Sequence, residues 1–181
     1  KRQMKALNLS YLDLYLIHAP WPWGERGSTN YDEANVEVWK AMQDIYASGE
    51  VKAIGVSNFN VHDLQNILAH ADVQPMVDQI RYFVGYTEPE TTQFAQDNDI
   101  LVEAYSPLAT GGILENLDIK KIADRYGVSV AQLAIKFVLQ NDVLPLPKAT
   151  HKNHIENNTQ LDFTISAEDM KLLNGLTATD M

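Results

Sequence analysis

The 181-residue sequence predicts an α/β fold in which parallel strands alternate with helices. Three observations carry that prediction. Short apolar runs of strand length recur between stretches whose apolar residues repeat every 3.6 positions. The resulting order, β-α-β-α-β-α-β-αα-β-α-α, implies parallel pairing through right-handed crossovers. No strand is followed by a Gly-rich GxGxxG turn, so a doubly wound sheet lacks its usual signature. A (β/α)8 barrel remains open, with five of its eight units visible in this length.

Each element has a local reason. The opening KRQMKALNLS reads as the tail of a helix entering a strand, which predicts a chain cut from something longer. LDLYLIH (12–18) is a strand candidate bounded by Pro20. A helix follows over Asp32 to Ser48, with Val38, Met42 and Ile45 on one stripe and Gly49 as its stop. VKAIGVS (51–57) is the next strand. Asn60 can cap a helix whose Val61, Leu64, Ile67 and Leu68 share a face. PMVDQI (75–80) is a strand again, and Pro89 suits the first position of the helix after it. DILVEAYS (99–106) is a strand, and a loop with Gly111-Gly112 leads to a helix over Leu117–Tyr126. Ser129 and Gln132 form a capping box before the stripe Val130, Leu133, Ala134, Phe137 and Val138. VLPLP (143–147) is the last strand. Two short helices close the order, around Lys152–Asn158 and Ser166–Leu173. No linker or low-complexity tract interrupts this, so residues 1–181 read as one domain.

Composition narrows the function classes. Hydrophobic residues make up 45%, enough for a packed core and too many for disorder. No apolar run approaches the ~18 residues of a membrane span. Lys and Arg number 14 against 24 Asp and Glu, a net charge of −10 that argues against a nucleic-acid surface. The absence of cysteine excludes disulfides, thiolate catalysis and Cys-ligated metal, and fits a cytoplasmic protein. No carboxylate or thiolate supports a metal site at His151 and His154, so no metal is expected.

Hydrogen-bonding side chains gather where the strands finish. They are His18, Ser57-Asn58, Gln79, Tyr105-Ser106 and Lys148. Singly, each has a structural reading: a satisfied histidine, a capping turn, a buried amide, a core ring, a solvated lysine. Five strands ending this way form a pattern, and strand C-termini share one rim in a barrel.

At this point motifs accumulate in order. LYLIHAPWPW, GVSNF, VDQI, AYSPLATG, LPKAT and HIENN resemble the C-terminal two-thirds of an aldo-keto reductase, closest to the bacterial group that includes 2,5-diketogluconate reductases. The resemblance covers essentially the whole chain. It implies a (β/α)8 barrel that reduces aldehydes or ketones with NADPH, with NADH as a weaker possibility. By it, His18 is the active-site histidine that orients the substrate carbonyl. Ser57, Asn58 and Gln79 would hold the nicotinamide carboxamide, and Tyr105 would stack on its ring. Ser106 and Leu108 would lie along the pyrophosphate. Lys148 would meet the adenosine 2′-phosphate, with Thr150 and His154 nearby, and Asn158 would contact the adenine. Trp21 and Trp23 would wall the substrate pocket.

Four departures qualify the resemblance. Asp78 stands where the family has Asn before the Gln, and Ala149 where it has Ser after the Lys. His154 replaces the usual Arg, which predicts only a modest preference for NADPH. The family's proton-donor Tyr, with its Lys and Asp, belongs to earlier strands and has no match here. This chain alone is therefore expected to be inactive. Two other readings follow: a non-catalytic NADP-binding module, or a truncated product. The intact protein is expected to be a monomer, and an isolated fragment is expected to self-associate through its exposed strand edges.

Overall fold

The computed structural model describes residues 2–27 and 29–180. In order, the elements are α1 (Arg2–Leu7), β1 (Tyr15–Ile17), α2 (Asp32–Ala47), β2 (Ile54–Ser57), α3 (Val61–Leu68), β3 (Val77–Arg81), α4 (Pro89–Asp97), β4 (Leu101–Tyr105), α5 (Leu117–Tyr126), α6 (Val130–Gln140), β5 (Leu144–Leu146), α7 (Lys152–Thr159) and α8 (Ala167–Asn174). The strand order is β1-β2-β3-β4-β5, and the registered pairs run parallel. This is an α/β fold with five successive strands of the barrel type.

Two compact units divide the chain. The first runs to Gln79 and takes in Glu90–Leu101. In it β2 lies between β1 and β3, with Leu16 opposite Gly55 and Ser57 opposite Gln79. Gly55 allows that close packing. A Cβ there would come within 2.5 Å of the Val77 carbonyl oxygen and 2.8 Å of Leu16 Cδ2. Trp39, Ile54, Val56, Phe59, Leu64 and Ile67 are buried around this layer. Asn60 caps α3 as expected, and Asp63 makes the cap reciprocal: Asn60 accepts from the Asp63 N–H, and the Asp63 carboxylate accepts from the Asn60 N–H, both at 3.1 Å.

The buried stripe of α2 differs from the expected one. Val38 is 47% exposed, whereas Asn35, Trp39 and Met42 are buried. Polar requirements set that rotation. Asn35 Nδ2 donates to the Pro20 carbonyl at 3.0 Å, and Trp39 Nε1 donates to the Val73 carbonyl at 2.9 Å. The strand over 12–18 is also shorter than expected. Leu12 makes an isolated bridge to Val51. An exposed bend at Asp13, beside Lys52 at 3.6 Å, separates that bridge from β1.

The second unit comprises Ile80–Pro89 and the chain from Val102 onward. β4 pairs with β5, Tyr105 opposite Leu146. Pro145 sits inside β5, which is tolerated because an edge strand need not donate on both sides. The capping box of α6 is present, Ser129 Oγ accepting from the Gln132 N–H at 3.2 Å. Leu133, Phe137 and Val138 are fully buried. Each contributes about 1.5–3 kcal/mol by burial against about 1 kcal/mol for the cap. Packing therefore makes the helix, and the cap fixes where it starts.

Candidate active site

In the first unit the ends of β2 and β3 are joined by short hydrogen bonds. Ser57 Oγ donates to the Gln79 carbonyl at 2.7 Å, and the Asn58 N–H donates to the same oxygen at 3.0 Å. Asn58 Nδ2 donates to the His18 carbonyl at 2.9 Å and to Ser57 Oγ at 3.1 Å. Asn58 holds this position at φ +60, a left-handed conformation that Asn tolerates better than most residues. One amide thus ties the backbone of His18 to Ser57. His18 is exposed just beyond β1. Its ring meets Trp23 edge-on at 5.2 Å, and Trp23 meets Trp21 edge-on at 5.6 Å. Trp23 is 68% exposed, an apolar surface beside an imidazole. The Asn35 bond to Pro20 fastens the start of that loop.

In the second unit the chain leaves β4 through strained backbone. Ser106 has φ +52, Ala109 +48 and Thr110 +55. Within the loop the Ala109 N–H donates to the Ser106 carbonyl and the Gly111 N–H to the Leu108 carbonyl, both at 2.8 Å. Lys148 follows β5, and α7 carries His154 and Asn158. An open cleft of about 660 Å³ brings together Ser106, Leu108, Lys148, His154 and Asn158. Leu114, Leu146 and Pro147 are among its apolar lining residues. Two basic side chains, amides, hydroxyls and apolar surface gathered in one cleft suit a phosphorylated ligand with a flat aromatic part. His151 touches His154 edge-on at 5.4 Å.

Tyr105 and the exposed Thr150 do not line that cleft. Ser129 and Asn157 do, and the sequence reading missed both as site residues. Ser129 had a signal only as the N-cap of α6, where its hydroxyl is engaged with Gln132. Asn157 had one as the neighbour of Asn158. Asp78 is fully buried beneath Gln79. Tyr82 is also buried, a core ring packed on Phe137 whose phenol burial pushes well above the usual tyrosine range. A second, polar recess of about 420 Å³ includes Trp21, Arg26, Asp32 and His62, the last two paired at 3.0 Å. Among the described residues no group of three or more His, Asp or Glu is gathered as metal ligands, and no helix is long and apolar enough to cross a membrane.

The profile of the aldo/keto reductase family matches residues 1–178. Glyoxal reductase of Bacillus subtilis is 37% identical over 177 residues, covering 97% of this chain and 60% of that protein. An NADPH-dependent alpha-keto amide reductase of Saccharomyces cerevisiae is 36% identical over 184 residues, covering 96% of this chain and 58% of that protein. Among solved structures, a Bombyx mori aldo-keto reductase in complex with NADP superposes with a TM-score of 0.86 at 28% identity. That match covers 99% of this chain and 62% of the other. The chain spans about three-fifths of the length of the curated relatives it matches.

Proposed function

Because the chain belongs to the aldo/keto reductase family, we propose that its residues form the cofactor-binding and carbonyl-orienting part of a reductase that converts aldehydes or ketones to alcohols. The observation that carries this is the cleft after β4 and β5. It gathers Ser106, Leu108, Lys148, His154 and Asn158, five of the residues that the motifs single out for NADP. Its chemistry fits that group, with two basic side chains for phosphate and apolar walls for the adenine. Bound NADPH supplies a hydride for the carbonyl carbon.

The chain's own residues prepare that transfer. Lys148 and His154 hold the 2′-phosphate, and Ser106 and Leu108 border the pyrophosphate. Ser57, Asn58 and Gln79 hold the carboxamide, an amide needing both donors and acceptors. His18 points its imidazole at the substrate carbonyl oxygen and stabilises the charge that develops there. Asn58 fixes the backbone of His18 while it does so. Trp21 and Trp23 offer apolar faces to the substrate. His154 in place of Arg leaves NADPH favoured over NADH by a modest margin.

Residues 1–181 constitute a single domain in this reading, acting in the cytoplasm on small-molecule carbonyls. They carry no match to the family's proton-donor tyrosine, so the 181-residue polypeptide by itself binds cofactor without turning over substrate. A panel of aldehydes and α-dicarbonyls assayed by NADPH oxidation tests the activity of the whole protein. Substituting His18→Ala is expected to lower kcat about 100-fold while leaving NADPH binding intact. Undiminished kcat would remove His18 from the reaction.

A further inference from the structure

We propose that Thr179 and Asp180 are positioning residues that brace the loop after β4 in its ligand-receiving conformation, an inference that rests on the cofactor reading of the cleft. That loop presents Ser106, Leu108, Thr110 and Gly111 to the cleft. It does so with positive φ at Ser106, Ala109 and Thr110. Backbone in that state persists only where surrounding structure over-determines it. The surroundings here are residues far along the chain. A Cβ on Gly112 would stand 3.1 Å from both Cβ and the carbonyl oxygen of Asp180. A Cβ on Gly85, which has φ +97, would collide with the Thr179 side chain. Both glycines are therefore places where residues 179–180 lie directly on the backbone.

Polar contacts fasten the same two residues. Thr179 is 3% exposed, and its hydroxyl donates to the Val84 carbonyl. Its own carbonyl accepts from Asn116 Nδ2 at 3.2 Å. Asn116 Oδ1 in turn caps α5, accepting from the N–H groups of Asp118 and Ile119 at 3.1 Å. Asp180 pairs with Arg81 Nη2 at 2.9 Å, and that guanidinium lies 4.9 Å over Phe83 and 5.3 Å over Tyr86. Three segments meet on this strap: the turn after β3, the loop after β4, and the start of α5. The Arg81–Asp180 side chains are 41% and 30% exposed, and partly solvated pairs contribute little. The buried hydroxyl of Thr179 is the stronger element, since removing it leaves a covered carbonyl without its donor.

The test compares Thr179→Val, Thr179→Ser and the wild type. Amide exchange at Gly111 and Gly112 is read without cofactor, because their N–H groups bond to the Leu108 and Ala109 carbonyls inside the loop. Dissociation constants are read for NADPH and for adenosine 2′-monophosphate, which carries the adenine and the 2′-phosphate but no pyrophosphate for the loop to border. Thr179→Val is expected to speed exchange at both glycines and to weaken NADPH about fivefold, leaving the monophosphate unchanged, with Thr179→Ser restoring both. Unchanged exchange in Thr179→Val, or equal weakening of the two ligands, overturns the proposal. A wild type that binds neither ligand overturns the cofactor reading and the positioning role with it. Should Thr179→Val fail to fold, Gly112→Ala carries the same test from the loop's side, its φ of −59 being open to any residue.

Discussion

His154 is the residue whose chemistry most alters the expected behaviour of the site. Where the family pattern has an always-charged fork of donors, this chain has an imidazole with two ring nitrogens. In the proposed 2′-phosphate contact it offers fewer donors than the guanidinium, so NADPH is expected to exceed NADH only modestly. His154→Arg is expected to tighten NADPH about tenfold and to leave NADH unchanged. Titration calorimetry with the two cofactors checks this, and an equal gain for NADH would count against the assignment. Asn58 shows a different kind of economy. Its left-handed backbone turns the end of β2 so that one side-chain amide reaches both His18 and Ser57.

Among the elements, α3 carries a measurable pH signature. Burial raises the Asp63 carboxyl above the usual range, against the lowering effects of its Asn60 N–H bond and of His62. A raised acid favours its protonated form in the folded state, so its contribution to stability declines as pH climbs from the unfolded value through the folded one. Asp63→Asn keeps an acceptor for the Asn60 N–H and removes the charge. Urea unfolding is expected to show wild type losing ground to that variant between acidic and neutral pH, and a constant difference would refute it. Legibility also sorts by element. Helix starts at Asn60, Pro89 and Ser129 were readable because a cap or a proline acts within a few residues. The buried face of α2 was not, because apolar periodicity pointed to Val38 while Asn35 and Trp39 answer to carbonyls 15 and 34 residues away. The cleft residues that the motifs name were legible, whereas Ser129 was readable only as a helix cap and Asn157 only as the neighbour of Asn158. The contacts of Thr179 and Asp180 span 95 and 99 residues and leave no local trace.

At the scale of the whole chain, the strands at the two ends of the strand order shape how the 181-residue polypeptide behaves. β1 is only partly buried throughout, and Leu144 and Leu146 of β5 are each 41% exposed. Unpaired edges with apolar side chains invite pairing with another copy. Light scattering on this polypeptide is expected to report species larger than a monomer, and a stable monomer at tens of micromolar would argue otherwise. The fold and the cleft together make one central claim, that the loops after β4 and β5 bind an NADP-type cofactor through Lys148. Titrating NADPH and NADH into the wild type and Lys148→Met tests it most directly. The account predicts tighter binding of NADPH than NADH in the wild type, an NADPH loss of about tenfold in Lys148→Met, and no change for NADH. Equal affinities in the wild type, or NADPH binding indifferent to Lys148, would contradict it.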